Sequence, residues 1–388
     1  MKKSALVLSG GGFKGAFQVG ALKYLQENWH KLDPIHPKMK FDIIAGVSVG
    51  ALNGLLVATD KFDELTSLWQ KVAKNGVEEI YTSDFIDTKV DQTDPNPDLK
   101  LSLTWDSIKK QFPKTTRNVF LRALFRRKSL MNSLRGEIQN FKSIADNTPL
   151  KNKLKDYAKR DEVKDCIFKC GYVSLNDGKY YSLKHSDFKT DNDFLNAILA
   201  STAMPIIWSP VQDIHSNIAD SPSKHSVDGG IRCVSPLADV IKEISVQDSS
   251  EEYTIVIINC SSGKIPNEDF QDKNIAQIAL RSLVDIAITE VFNNDVKEFI
   301  DKNYILEQVI SKYPNEMIYD YDYKNKMQGH PLKYFKAIII QPDENYLGDN
   351  LTANEALINR RIEHGYYKAK LALDEHLGNA KEMKFTIA

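Results

Sequence analysis

The stretch FDIIAGVSVGALNGLLVATD at residues 41–60 decides how this chain folds. Its first six residues form an apolar, β-prone run, and the helix-prone segment ALNGLLVATD follows the pentapeptide GVSVG. An apolar run that changes to helical composition across glycines is typical of a strand, a sharp turn and a helix. We therefore predict a buried strand that ends at this turn.

The same pattern stands at the amino terminus. Residues 4–9, SALVLS, form a β-prone run that meets three glycines at 10–12, and helical spacing follows over residues 16–29. Two strand-turn-helix units in succession predict a right-handed βαβ crossover in a parallel sheet. The chemistry of such a sheet lies in the loops at the carboxyl ends of its strands. The predicted class is therefore α/β.

Further apolar and amphipathic segments continue this organisation. The predicted helices lie at 61–75, 194–199, 275–310 and 353–377, and the predicted strands carry the sequences CIFKCGYVSL, KYYSLKH, YTIVIINC and FKAIIIQ. The turn Asn176-Asp177-Gly178 predicts a hairpin between the first two of these strands. Because no obvious linker separates the glycine turn from Asp228, we expect one large α/β domain with helical additions.

The composition is that of an ordinary folded chain. Of 388 residues, 42% are hydrophobic and 27% are charged, which excludes a disordered or collagen-like protein. The formal net charge of -1 argues against a surface that binds nucleic acid throughout. No uncharged apolar run approaches the roughly 20 residues that span a bilayer. The apolar stretch after Lys2 and Lys3 ends too early for a secretion signal, so we expect a cytoplasmic protein.

The four cysteines are sparse and form no CxxC pair. None has a companion histidine at zinc-finger spacing, so we expect free or buried thiols in a reducing compartment. Cys166 and Cys170 would share one face of a strand, which leaves a disulfide between them open.

GVSVG matches the nucleophile-elbow pattern GxSxG between a strand and a helix. Gly46 and Gly50 suit such an elbow, because a Cβ at either position would crowd the bend. Ser48 would lie at a helix amino terminus, whose positive dipole end favours nearby oxyanions. We predict Ser48 as a nucleophile. The alternative is a structural turn that uses Ser48 as a helix N-cap.

GGGFKG at 10–15 has several interpretations. Gly10, Gly12 and Gly15 fit the dinucleotide fingerprint GxGxxG, but that fingerprint needs an acidic residue at the end of the second strand, and Ser48 stands there. A P-loop fails because Ala16 follows Gly15 where lysine is required. Consecutive glycine N–H groups can form an oxyanion hole. A glycine turn that only packs against a neighbour is the remaining alternative.

The histidines identify no general base. All eight lie mostly in polar or helical surroundings, and Ser48 has fewer strands before it than the nucleophile of an α/β-hydrolase, so the usual triad fits poorly. The better candidate is Asp228 in SVDGG, which follows a β-prone entry and precedes two glycines. Taken alone, DGG is also a common turn.

Four motifs in this order resemble the patatin-like phospholipase family. GGGFKG is similar to its oxyanion loop, GVSVG to its nucleophile elbow, and ILASTAMPIIWSPV at 198–211 to its Ala-Ser-x-Ala-x-Pro segment. VDGG carries the aspartate motif, and Pro236-Leu237 follows it. The motifs span about residues 4–240, and the C-terminal third matches only loosely. The resemblance implies a three-layer α/β/α fold with a mainly parallel central sheet and added helices.

The resemblance also implies an activity and a site. It implies a lipid acyl hydrolase of the phospholipase A or lysophospholipase type, with no cofactor and no metal, acting on glycerolipid or phospholipid esters. Ser48 would be the nucleophile, Asp228 its base, and Gly10, Gly11 and Gly12 the oxyanion donors. The implied supporting residues are Lys14, Gly15, Gly46, Gly50, Gly229 and Gly230. At Lys14 the family more often has arginine, whose planar fork lysine lacks.

The resemblance further suggests how the chain is divided. We expect a catalytic domain over residues 1–260 with a basic helical insertion at about 100–160, and C-terminal helices and a strand over 261–388 packed on it. The basic segment 107–142 is suited to a peripheral contact with anionic membranes, or to a cap helix with its charges in water. Two alternatives stay open: a non-catalytic lipid- or nucleotide-sensing protein and a Rossmann-type dinucleotide enzyme. Some members of the family need an activator, so the resemblance also allows for an activating partner.

Overall fold

A computed structural model describes residues 2–86, 91–94, 143–247, 251–271, 273, 275–322 and 325–378. The strands are β1 (Lys2–Leu8), β2 (Ile43–Val47), β3 (Ile167–Ser174), β4 (Tyr180–Lys184), β5 (Ser226–Asp228), β6 (Glu252–Ile258), β7 (Tyr319–Asp322), β8 (Met327–Pro331) and β9 (Lys336–Ile340). The helices are α1 (Gly15–Asn28), α2 (Val49–Ala58), α3 (Phe62–Asn75), α4 (Thr148–Leu154), α5 (Asp191–Ser201), α6 (Leu237–Ser245), α7 (Ile275–Leu280), α8 (Ile288–Lys312) and α9 (Glu355–Gly378).

Within these residues, seven strands form one mainly parallel sheet. Its order is β4-β3-β2-β1-β6-β9, and β5 pairs with β3 beside this path. The neighbours from β3 to β9 run parallel, whereas β4 and β5 are antiparallel to β3. The predicted α/β class, the parallel pairing of the first two strands and the hairpin after β3 are confirmed.

Helices cover both faces of this sheet, as side-chain alternation in a strand requires. In β1, Leu6 and Leu8 pack in the core that contains α1, α2, α5 and α9, while Ala5 and Val7 pack in the core that contains α6 and α8. The result is the three-layer α/β/α arrangement that the family resemblance implied.

The strand β5 occupies a position that determines where its last residue lies. β2 ends at Val47, opposite Gly171 of β3, and β5 pairs with β3 from the next residue onward, where Tyr172 faces Asp228. Since β4 already pairs with the other edge of β3 at this level, β5 lies on the side of β2. Asp228 therefore lies just beyond the carboxyl end of β2, next to the turn at Ser48.

The structure adds two features that the sequence did not predict. The helical pattern over 275–310 is interrupted by a π-helical segment, Arg281–Ala287, between α7 and α8. β7 and β8 form a separate two-stranded antiparallel sheet. The basic segment 107–142 lies outside the described residues. In the part of the chain that is described, no helix is both long enough and apolar enough to cross a membrane.

Candidate active site

Ser48 occupies the sharp turn between β2 and α2. Its backbone has φ 57° and ψ -129°, a left-handed φ that is costly for a residue with a Cβ. Although Ser48 is the N-cap residue of α2, its side chain makes no capping hydrogen bond. The interpretation of Ser48 as a structural N-cap is therefore wrong, and the buried hydroxyl is available for another partner.

The glycines on either side of Ser48 allow the strand and the helix to approach closely. A Cβ on Gly50 would lie 2.2 Å from the carbonyl oxygen of Leu8, and a Cβ on Gly46 would lie 2.3 Å from the carbonyl oxygen of Gly50. Both obstacles are backbone atoms, which cannot move aside as a flexible side chain does. The elbow therefore requires glycine at these two positions.

We expect Gly50→Ala to destabilise the fold by about 3 kcal/mol, because the new methyl group would overlap the backbone of β1. Urea denaturation measures this loss of unfolding free energy. Gly378→Ala is the matched control, since a Cβ there meets nothing within 4 Å. Equal stability of Gly50→Ala and wild type would show that the helix and the strand can separate without cost.

Ser201 supports the elbow from the end of α5. Its Oγ accepts a hydrogen bond of 2.9 Å from the backbone N–H of Ser48, and both groups are buried. This bond satisfies one of the free N–H groups at the start of α2. Sequence reasoning placed Ser201 in the Ala-Ser-x-Ala-x-Pro motif but assigned it no role. The contact between its side chain and the Ser48 backbone joins distant parts of the chain, and no local pattern distinguishes Ser201 from the other serines.

Asp228 is buried at the end of β5 and faces the same cavity as Ser48. Its carboxylate accepts the N–H of Gly230 at 2.7 Å, and the Ser48 hydroxyl favours its ionised form. Its own N–H donates to the carbonyl of Ala203 at 2.9 Å, which anchors it to the segment that follows α5. Burial raises the pKa of Asp228 to about 7, against the opposing effect of the Gly230 and Ser48 donors. A carboxylate with this pKa can exchange a proton near neutral pH.

The glycine loop lies beside Ser48, but its three N–H groups are not equivalent. A Cβ on Gly10 would lie 3.3 Å from the Cβ of Ser48. The Gly10 N–H donates to the carbonyl of Val234 at 2.9 Å. It is therefore already engaged, whereas the sequence prediction counted it among the oxyanion donors. Among the described residues, the N–H groups of Gly11 and Gly12 have no acceptor. The loop therefore offers two donors, not three.

The predicted supporting residues lie around this centre. Lys14 faces the same cavity as Ser48, and burial lowers the pKa of its ammonium group while Asp349 opposes that effect. Gly15 begins α1, and its carbonyl accepts the Asn53 side chain at 3.1 Å. Gly229 packs closely against the backbone of β3 beside Asp228.

Ser48 stands between two cavities. The larger cavity, of about 280 Å³, is lined by Gly11, Gly12 and Asp228. Charged side chains from the loops that follow β6 and β9 complete its wall. The smaller, of about 60 Å³, is almost wholly apolar, and its lining includes Leu52, Trp69 and Trp208. All eight histidines of the chain lie in the described residues, and none of them lines either cavity.

Other candidate chemistries have little support in the described residues. No group of three His, Cys, Asp or Glu side chains there is placed to hold a metal ion. The four cysteines are free thiols. The end of β2, where a dinucleotide-binding protein needs an acidic side chain, carries Val47 and then Ser48.

This fold and site define an α/β protein with a serine on a strand-to-helix elbow and a buried aspartate on the wall of the same cavity. Residues 6–241, more than half of the chain, match the family described as patatin-like phospholipase, and the chain belongs to that family. Family membership supports a lipid hydrolase in general.

Two solved structures are similar to this chain at low identity. VipD from Legionella pneumophila is 13% identical with a TM-score of 0.41, over 96% of this chain and 67% of that one. The type III effector protein ExoU is 14% identical with a TM-score of 0.30. The match includes 97% of this chain and 53% of the ExoU chain. This chain thus spans about half of the ExoU structure. No curated protein matches the sequence.

Proposed function

We propose that this chain is a lipid acyl hydrolase that cleaves carboxylic esters of glycerolipids through Ser48 and Asp228. The observation that carries the proposal is that Ser48, on its strand-to-helix elbow, and the buried Asp228 carboxylate line the same cavity as Gly11 and Gly12. The absence of histidine from both cavity linings, within the described residues, favours a dyad over a triad. The elevated pKa of Asp228 makes that carboxylate a stronger base than an exposed aspartate.

The geometry supports a two-step ester cleavage. As Ser48 Oγ attacks the ester carbonyl carbon, Asp228 takes the hydroxyl proton, and the N–H groups of Gly11 and Gly12 stabilise the tetrahedral oxyanion. The carbon–oxygen bond to the glycerol then breaks, and Asp228 returns the proton to the departing alcohol. Water attacks the resulting acyl-enzyme with Asp228 again as base, which releases the fatty acid and restores Ser48.

A fluorophosphonate probe tests the proposal directly, because it reacts with serine only where the hydroxyl is activated. We expect one adduct, on the peptide that contains Ser48, and its loss after heat denaturation. A non-catalytic lipid- or nucleotide-sensing protein of the same fold would remain unlabelled, and an adduct on a different serine would exclude Ser48 as the nucleophile.

The two cavities give the proposed substrate an orientation. The small apolar cavity suits the acyl chain, because burying methylene groups there is favourable, and the larger charged cavity suits the polar remainder of a glycerolipid. Ser48 lines both cavities, so an ester carbonyl at their junction would lie next to its hydroxyl.

We expect Leu52→Phe to discriminate against long acyl chains, because the larger side chain would fill part of the apolar cavity. The ratio of kcat/KM for p-nitrophenyl octanoate to that for p-nitrophenyl acetate should fall about tenfold. The exposed Leu371 offers a control through Leu371→Phe. An unchanged ratio in Leu52→Phe would mean that the acyl chain lies elsewhere.

Three parts of the sequence prediction stay predictions. The contact of segment 107–142 with anionic membranes falls outside the described residues, and an activating partner is untested. For the division near residue 260, we infer a single folding unit, since β9 extends the sheet through β6 and α9 packs on α1.

A further inference from the structure

The glycine loop is held through Val234, which follows the Asp228 turn. The Val234 carbonyl accepts the Gly10 N–H at 2.9 Å, and the Val234 side chain lies beside both glycines, 3.7 Å from where a Cβ on Gly10 would be and 3.9 Å from where one on Gly230 would be. Val234 therefore touches both loops of the proposed site, the one that carries the oxyanion donors and the one that carries Asp228.

Val234 is in turn held by Asp295 of α8. One oxygen of the Asp295 carboxylate accepts the backbone N–H groups of both Val234, at 2.8 Å, and Ser235, at 3.0 Å. Val234 and Ser235 are buried, so loss of this acceptor would leave two buried backbone N–H groups without their protein partner. A helix outside the family-matched residues 6–241 thus fixes a segment inside them.

The carboxylate is costly to keep where it is. Burial raises the pKa of Asp295 to about 6, and the nearby Asp239 adds to this effect, whereas the two backbone donors and Cys233 oppose it. Against this cost, the carboxylate provides the acceptor for the two backbone hydrogen bonds.

From these contacts we propose that Asp295 is a positioning residue, which sets the register of the oxyanion loop against Ser48 by holding Val234. The proposal rests on the proposed function, since it concerns the same site. Asp295 itself does not line either cavity and does not touch the dyad. The C-terminal third of the chain therefore takes part in catalysis by fixing the geometry of the N-terminal loops.

Asp295→Ala tests the proposal in the full chain at pH 8, where the wild-type carboxylate is ionised. We expect kcat for p-nitrophenyl esters to fall about tenfold with KM within about twofold, because misplaced donors weaken the transition state more than substrate binding. Hydrogen exchange at the peptide covering residues 9–14 should become at least about fivefold faster, because the Gly10 N–H loses its fixed acceptor.

Two matched variants complete the experiment. Asp295→Asn keeps an acceptor oxygen and should restore most of kcat and of the exchange protection, whereas exposed Asp301 on the same helix should tolerate Asp301→Ala without change. If Asp295→Ala does not fold, Asp295→Glu replaces it, because the longer side chain displaces the acceptor and should give the same two changes to a smaller degree.

The outcomes separate this proposal from the proposed function. If the substituted protein matches wild type in both kcat and exchange, the positioning role is overturned while Ser48-dependent hydrolysis stands. If wild type shows no hydrolysis that depends on Ser48, the catalytic part falls with the proposed function, and faster exchange at residues 9–14 would still support the contact path from Asp295 to Gly10.

Discussion

Ser48→Ala should abolish ester hydrolysis, with kcat at least about 10⁴-fold below that of wild type. The substitution removes only the oxygen that would attack the ester. It keeps the backbone hydrogen bond from residue 48 to Ser201, and the side chain makes no capping bond that could be lost. The fold should therefore persist, and the loss of activity should be a loss of chemistry.

Lipid mass spectrometry gives the measurement. Phosphatidylcholine vesicles and triacylglycerol emulsions are incubated with each protein, and released fatty acids and lysolipids are quantified. Ser67→Ala, on an exposed face of α3, is the control for a serine-to-alanine change. The dyad is excluded if Ser48→Ala releases the same acids at the wild-type rate. The acid released by wild type, together with the lysolipid or partial glyceride left behind, identifies the ester that is cleaved.

The elements of the sheet were predictable because their signals are local. The runs around β1 and β2 are apolar, end in glycines and are followed by helical spacing, so each unit is visible within 20 or so residues. The elbow at Ser48 was predictable for the same reason, since Gly46 and Gly50 record in the sequence how closely the backbones approach.

The remainder depends on long-range contacts that no short pattern contains. Asp228 lies next to Ser48 because β5 pairs with the edge of β3 just beyond the point where β2 ends. Residues 226–228 alone do not specify this pairing. The hydrogen bond from the Gly10 N–H to the Val234 carbonyl likewise depends on tertiary packing. For this reason the sequence predicted three oxyanion donors, whereas two are free among the described residues. Asp295 has no recognisable motif, and its partners lie some 60 positions away.

Asp228→Asn should also lower kcat by about 10⁴-fold, because an amide cannot accept the proton of Ser48. The same carboxylate predicts a pH profile. Burial raises the pKa of Asp228 to about 7, so below that pH the group is protonated and cannot act as a base. We expect the kcat/KM of wild type to rise as pH increases through about 7 and then to level off.

The exposed Asp220 supplies the control, since Asp220→Asn changes an aspartate that is in contact with solvent. A wild-type profile that stays flat from pH 5 to pH 8 would contradict a base with a raised pKa. Activity of Asp228→Asn at the wild-type level would remove Asp228 from the mechanism altogether.

The raised pKa has a second consequence, for stability. Because the folded state binds this proton more tightly than the unfolded state, with a pKa of about 7 against 3.8, the contribution of Asp228 to stability is greatest below pH 4 and declines as pH rises towards 7. By pH 8 the ionised carboxylate costs the fold about 4 kcal/mol. An asparagine side chain at this position carries no such charge. Asp228→Asn should therefore exceed wild type in unfolding free energy at pH 8, with the gap closing towards pH 4.

Urea denaturation of both proteins across this pH range measures the gap. A gain in stability together with a loss of activity would show that the chain keeps an unfavourable buried charge because the reaction requires it. A gap that does not change with pH would mean that Asp228 titrates alike in the folded and unfolded chain, and the basis for its strength as a base would be lost.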